Sequence, residues 1–340
     1  MADISFCIPM YNAQKYIDMC LDSIIEQGLE DFEIICIDDC STDGTFECAH
    51  SRAESDPRIS VIQNPSNKGV SFSRNVAINN ANGKYIWFVD ADDFLVPGAA
   101  SVLLRIAEDN NADIALGKCY AFAEGKKPAD IRQGTGNIMP VDLSKPESLY
   151  QTDQYGITCY GVWLGIYSKT FLTEHNIYFH EDLALDEDIL FQLETIIHSS
   201  RRLLVDFYSY YYQIRQSSAC RSAEHSDDHH KKYCTCDIRA VDLVLRNPTC
   251  CDSRFQIVVN DFIIGRKENC LSHLAKVNDQ KYVRETIREL KKKGFYPYKQ
   301  VPNTSFRKRK KINDWLYIEP VFWLVHFAYS ARTKIKNRRT

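Results

Sequence analysis

The 340-residue sequence has no uninterrupted apolar run of the ~18 residues that a membrane-crossing helix needs, so no such span is expected. It also lacks G-x-G-x-x-G after its first apolar stretch, where Pro9-Met10-Tyr11-Asn12-Ala13-Gln14 stands instead, and it lacks a P-loop lysine signature. Both common glycine-rich phosphate cradles are thereby removed, and phosphates would have to be held by other means. No secretory leader is expected ahead of the first strand, which starts near Ile4. The cysteines offer no disulfide framework: there are 13, an odd number, and Cys7 and Cys36 fall inside apolar strands. They read as reduced thiols serving as small buried apolar residues in a cytosolic protein.

What is present is enough for a sizeable core, with 44% apolar and 12% aromatic residues. The net charge of −3 hides an asymmetry: residues 306–340 carry ten Lys/Arg against Asp314 and Glu319, a net +8 that leaves −11 on the rest. An acidic body argues against general nucleic-acid binding. Apolar, β-prone runs at 4–9, 33–37, 59–62, 85–89 and 113–122 alternate with helical patterns. The first such pattern is Ile17, Leu21, Ile24 and Ile25, ended by Gly28; others lie at 70–80 and 97–108. Strands alternating with helices predict an α/β fold with a mostly parallel sheet.

The strand ends carry the chemistry. Tyr85-Ile86-Trp87-Phe88-Val89 is too short and too β-prone for a helix, and it runs directly into Asp90, Asp92 and Asp93. A sheet interior cannot hold three unpaired acids, so they belong at the open carboxyl end, where ligands bind in open α/β sheets. Acids so spaced suit Mg²⁺ or Mn²⁺ and, through the cation, a pyrophosphate. An acidic surface turn with Asp92 or Asp93 capping the next helix is the plainer alternative. Tyr11 and Asn12 follow the first strand, and Asp38 and Asp39 end the second. Three polar strand ends converging on one edge favour a site over separate solvated turns.

Taken in order and spacing, these residues resemble the family 2 glycosyltransferases with the GT-A fold. The likeness covers roughly residues 4–218. It rests on Ile8-Pro9-Met10-Tyr11-Asn12, Ile37-Asp38-Asp39-Cys40-Ser41-Thr42-Asp43-Gly44-Thr45, Asn67-Lys68-Gly69-Val70, Ser73-Arg74-Asn75 and Phe88-Val89-Asp90-Ala91-Asp92-Asp93. The resemblance implies an inverting transferase acting on a nucleotide-diphosphate sugar, usually UDP-linked. By the same likeness Pro9, Tyr11 and Asp39 frame the nucleobase, and Asn67, Lys68 and Arg74 lie near base, ribose or phosphates. Asp92 is the first choice for metal ligand, with Asp93 as a second and Asp90 at the ribose or metal. Taken without the resemblance, Arg74 is an exposed helical arginine.

A general base for the acceptor is sought in the second half, where Glu187-Asp188 precedes the apolar run Ile189-Leu190-Phe191. This matches the family's E-D motif and makes Asp188 the base, with Asp186 in reserve; without the motif, acids in a first helical turn merely suit the helix dipole. Trp163 lies in a segment that resembles the family's acceptor side, and it could stack a sugar face or be core. Tyr212-x-x-Arg215 with Ser217-Ser218 resembles a feature near the diphosphate. His225, His229, His230, Cys234 and Cys236 fit no four-ligand zinc spacing well and read as a solvated helix face. Residues 268–294 read as one amphipathic helix striped by Val283, Ile287 and Leu290.

The basic tail, with Arg307-Lys308-Arg309-Lys310-Lys311 ahead of Trp315, Phe322, Trp323 and Phe327, reads as an interfacial helix on anionic lipid; docking on the body or pairing with another subunit is the other reading. The expected layout is a GT-A domain over 1–218, with a nucleotide-binding half at 1–122 and an acceptor-side half at 123–218. A helical region at 219–300 and a membrane-associating tail at 301–340 follow. The expected activity is metal-assisted sugar transfer to a glycan or lipid-linked acceptor on the inner face of the plasma membrane, for a surface polysaccharide. A non-catalytic nucleotide-sugar binder and a phosphoryl-transfer or receiver-type protein remain as alternatives.

Overall fold

The computed structural model describes residues 2–124, 134–141, 161–215 and 226–296, together with 322, 323 and 326. The chain divides into two units, Met1–Arg215 and Gln216–Thr340.

The first unit is built on a nine-stranded sheet. Its centre is β1 (Ile4–Met10), flanked in parallel by β2 (Phe32–Asp38) and β4 (Tyr85–Phe88), with β3 (Ile59–Gln63) parallel to β2 at the edge. These strands are apolar on both faces because helices cover both. Ile4, Phe6 and Ile8 face one core with Ile17, Cys20, Leu21 and Ile24 of α1 (Ile17–Ile25) and Leu103 of α4 (Ala99–Asp109). Cys7, Ile35, Ile37 and Phe88 face the other core with Ala77 and Ile78 of α3 (Val70–Asn80). α2 (Thr45–Ser55) lies between β2 and β3 in sequence and buries Ala49 in the first core.

Beyond β4 the sheet becomes mixed. β8 (Gly165–Ser168) runs antiparallel to β4 and to β6 (Ile114–Ala123), and β6 pairs in parallel with β9 (Arg202–Ile214). The 13-residue β9 also pairs antiparallel with β7 (Ile138–Pro140) near its start and with β5 (Phe94–Leu95) further along. Parallel order therefore holds for β1 to β4, while the antiparallel insert β8 was not distinguishable from a loop in the sequence. Gly165 permits that insertion: a Cβ there would stand 2.1 Å from the Ala115 carbonyl oxygen of β6. After β8 come α5 (Lys169–Glu174) and α6 (Glu187–His198), whose Phe171 and Phe191 complete the second core.

The second unit contains α7 (Asp227–Arg246), α8 (Gln256–Leu274) and α9 (Gln280–Lys292). The single helix expected over 268–294 is two helices, because Asp279 caps α9 by accepting from the backbone N–H of Lys281 and Tyr282. The solvated histidine and cysteine face is also overturned. His229, His230, Cys234 and Cys236 lie on the buried side of α7, and the Cys234 thiol donates to the Cys270 carbonyl (3.4 Å). Among the described residues no group of three or more His, Cys, Asp or Glu could hold a metal ion, and His225 lies outside them.

The tail expectation changes as well. Phe322 is fully buried in the core formed by Val241, Leu271, Val283 and Leu290. His326 is fully buried too, with Nδ1 donating to the Ala275 carbonyl (3.1 Å) and Nε2 at 2.6 Å from Gln280. The apolar part of the tail thus has a protein partner at these positions; the remainder of 306–340 lies outside the described residues. No described helix is long and apolar enough to cross a membrane.

Candidate active site

The polar ends of β1 and β2 are sewn together by side chains. Asn12 takes a left-handed backbone (φ 50°), and its Oδ1 accepts from the Thr42 N–H (2.8 Å) while its own N–H donates to Ser41 Oγ (3.0 Å). The Ala13 N–H donates to Thr45 Oγ1 (2.7 Å), and the Gly44 N–H donates to Gln14 Oε1 (3.0 Å). Tyr11 is left half exposed beside this seam, and Pro9 is partly buried.

Asp39 is 4% exposed, and its carboxylate accepts from Asn64 Nδ2 (2.8 Å), the Lys68 N–H (2.9 Å) and the Gly69 N–H (2.7 Å). A carboxylate offers about four acceptor positions, so about one remains for a ligand N–H. Gly69 makes the approach possible at φ 91°, a conformation costly for any other residue. Asn67 and the Lys68 side chain stay exposed on this loop.

Asn64 also donates to Ser73 Oγ (3.0 Å), which carries the network into α3. The next residue, Arg74, is buried rather than an exposed helical arginine. Its Nη1 donates to Glu187 (2.8 Å) and its Nη2 to Asp90 (3.0 Å). Burial works against its charge, but Asp90, Glu187 and Asp188 outweigh that and hold its pKa above the ordinary value. One guanidinium therefore joins the acidic end of β4 to the first turn of α6.

The three acids after β4 separate into different environments. The Asp90 N–H donates to the Tyr210 hydroxyl (3.1 Å), and its side chain is 28% exposed. Asp92 is 24% exposed, and its Oδ2 pairs with Arg215, whose guanidinium also lies 4.8 Å from the Tyr16 ring. Asp93 turns inward: it is 2% exposed, and its Oδ1 accepts from the Gln213 N–H (2.7 Å), tying β9 to this turn. Burial, followed by the charge of Asp90, pushes the Asp93 pKa up to about 8. Asp93, expected as the second metal ligand, is thus less accessible than Asp92 and ties the β4 turn to β9.

The remaining carboxylate set still suits Mg²⁺ or Mn²⁺, which use one or two protein carboxylates and complete their shells with water and phosphate. Asp92 is the more accessible candidate of the pair Asp92 and Asp93, although its Oδ2 pairs with Arg215. The Nε of Arg74 and the Nε of Arg215 are buried without a hydrogen-bond partner. Buried donors are normally satisfied, so these two Nε–H groups, on guanidinium groups otherwise paired with acids, are unused donors at this edge.

Asp188 stands in the first turn of α6, with Oδ1 accepting from the Ile189 N–H (2.8 Å). Burial, then Glu187 and Asp186, push its pKa up to about 7 against the opposing pull of Arg74. Trp163 is partly buried, stacks on Tyr210 (4.6 Å) and Tyr212 (5.5 Å), and accepts from the Trp87 indole at its carbonyl (2.8 Å). It is core on one side and lies next to the tyrosine that touches Asp90. Sequence reasoning missed Asn64, Tyr210 and Gln213. Only their positions, after a strand end or on the alternating face of an aromatic strand, could have marked them.

Residues 5–171 match the family described as Glycosyl transferase family 2, and this part of the chain is a domain of that family. "Uncharacterized glycosyltransferase EpsJ" of Bacillus subtilis is 33% identical over 217 residues, 63% of this chain and 62% of that protein. "Poly(ribitol-phosphate) beta-N-acetylglucosaminyltransferase TarS" of Staphylococcus aureus is 28% identical over 219 residues, 64% of this chain and 36% of that one. The chain thus spans less than two thirds of the length of these relatives. A crystal structure of S. aureus TarS 1–349 in complex with UDP-GlcNAc superposes with a TM-score of 0.56 at 20% identity, covering 91% of this chain and 98% of that one. The fold is the GT-A type.

Replacing Asp39 with Ala removes the acceptor for two backbone amides and one side-chain amide. We expect a loss of about 1–3 kcal/mol of unfolding free energy. Amide exchange at Lys68 and Gly69, followed by mass spectrometry, should accelerate. Unchanged protection there would show that the loop is held by something other than Asp39.

Proposed function

We propose that this protein is an inverting transferase that moves a sugar from a nucleotide-diphosphate donor, a UDP-sugar, to a hydroxyl of a glycan or lipid-linked acceptor in surface polysaccharide synthesis. The observation that carries the reading is Arg74, which brings the β4 acids and the Glu187–Asp188 turn to one edge of the sheet. The relatives support the donor class: TarS has been solved in complex with UDP and with UDP-GlcNAc, and a mannosyltransferase from Pyrobaculum calidifontis, of TM-score 0.53, in complex with GDP-Man and Mn²⁺.

In this reading Pro9, Tyr11 and the free acceptor position of Asp39 take the nucleobase. Asn67, Lys68 and Asp90 border the ribose and phosphates. Arg74 and Arg215 offer positive charge to the diphosphate, and Asp92 would hold Mn²⁺ or Mg²⁺. When bound, such a cation supplies charge stabilisation to the diphosphate as it leaves. The acceptor hydroxyl gives its proton to Asp188 while its oxygen bonds the anomeric carbon. The sugar–phosphate C–O bond breaks on the opposite face, and UDP departs with the electron pair. Trp163, held by Tyr210 and Tyr212, is the surface for the acceptor sugar.

A base must be ionised to act. With the Asp188 pKa near 7, kcat/KM for UDP-sugar turnover should fall tenfold per pH unit below about 7. Asp188→Asn should keep UDP affinity, lose turnover by roughly 10²–10⁴-fold and lose the acid limb. Retained turnover in that variant would remove the base assignment.

The basic tail on an acidic body supports a location at an anionic inner leaflet. With Phe322 and His326 committed to the helical core, lipid attraction falls to Arg307, Lys308, Arg309, Lys310 and Lys311. Each basic residue near such a surface contributes ~1 kcal/mol, so neutralising all five to Gln should cut partitioning to phosphatidylglycerol vesicles by at least ~100-fold at low salt. Cosedimentation equal to the unaltered chain would end the membrane assignment.

A further inference from the structure

α3 grips the approach to α6 at two consecutive residues. Asn75 Nδ2 donates to the Phe179 carbonyl (2.9 Å) and to Glu181 (3.0 Å), and its Oδ1 accepts from the Phe179 N–H (2.8 Å). Arg74 then reaches Glu187, the first residue of α6, while its guanidinium lies 5.1 Å from the Phe179 ring. This second grip matters because α6 starts without a side-chain cap: Asp186 occupies the cap position in a left-handed conformation (φ 59°). An uncapped first turn leaves its N–H groups and its direction poorly fixed. The Arg74–Glu187 pair supplies the missing restraint one residue before Asp188, and the other end of the same planar fork is fixed on Asp90.

We propose that Arg74 and Glu187 are a positioning pair for the acceptor-activating carboxylate. They fix the first turn of α6 so that Asp188 faces the acceptor hydroxyl, and they tie that aim to the donor end of the site through Asp90. The proposal rests on the reading of Asp188 as base. It assigns Glu187 no contact with substrate. The planar guanidinium is required because an ammonium group cannot hold both carboxylates in one fixed geometry.

The groups facing Asp188 are Glu187 and Asp186 on its own turn, Arg74 from α3 and Tyr167 from β8. Removing one member of the pair changes both aim and charge, and the two can be separated. The test measures UDP release from UDP-GlcNAc and from UDP-glucose, with Mn²⁺ and with water as acceptor, across pH. Calorimetric UDP binding and thermal unfolding report on the fold and the donor site.

Glu187→Gln should leave UDP affinity within about twofold while lowering kcat on the order of 10–100-fold, the scale of a small misplacement of a reacting group. Its acid limb should move to lower pH, because an anion beside Asp188 is gone. Arg74→Gln should move the limb to higher pH. Arg74→Lys restores the charge without the fork, so it should return the limb toward its original position while kcat stays low. In an Asp188→Asn background, Glu187→Gln should cost nothing further. The proposal is overturned if both acid limbs move the same way, if Arg74→Lys recovers full kcat, or if Glu187→Gln costs the same with and without Asp188. Full turnover by Asp188→Asn alone overturns the base reading instead, and that outcome is distinct from the other three.

Discussion

A guanidinium buried to the depth of Arg74 persists only where anions meet it, because desolvation alone costs several kcal/mol per ion. Two carboxylates meet it, one from the turn after β4 and one from the start of α6. In the low-dielectric edge of the sheet each attraction is stronger than it would be at the surface. The constraint is mutual: neither Asp90 nor Glu187 could be held this close to Asp93 and Asp188 without the intervening charge. Four acids are thereby assembled at one sheet edge. The pKa values of Asp93 and Asp188 are pushed upward, and Asp93 is withdrawn from the surface altogether.

A second set of contacts prepares the other half of the edge. Asp39 uses three acceptor positions to shape the 64–69 loop, and Asn64 passes that order to Ser73, next to Arg74. The Asp39 loop and the acidic end of β4 are therefore joined through adjacent residues of one helix. Function here resides in loops held at the carboxyl ends of rigid strands, so the strands themselves need only be apolar and well packed.

Much of this was legible in the sequence because strands end where apolar runs meet acids. Asp39, Asp90 and Asp92 do follow the ends of β2 and β4, and α3 appears over the residues its pattern indicates. The roles of Asp92 and Asp93 were not separable. They are the same residue type in adjacent positions, and only the turn decides that one faces Arg215 and the other faces Gln213. β8 was hidden because four residues carry no usable periodicity and strand direction is not written in composition. The aromatic tail shows the opposite difficulty: an apolar stripe does not say whether lipid or protein will cover it, and for Phe322 the answer is protein.

The most direct measurement is a calorimetric titration of UDP into the 340-residue chain, with and without Mn²⁺, for the unaltered sequence and for Asp92→Ala. If the diphosphate lies where Asp92 and Arg215 meet, Mn²⁺ should tighten UDP binding at least ~10-fold, about 1.4 kcal/mol, in the unaltered chain and leave the Asp92→Ala variant unaffected. Equal tightening in both proteins, or no UDP binding by either, would contradict the account.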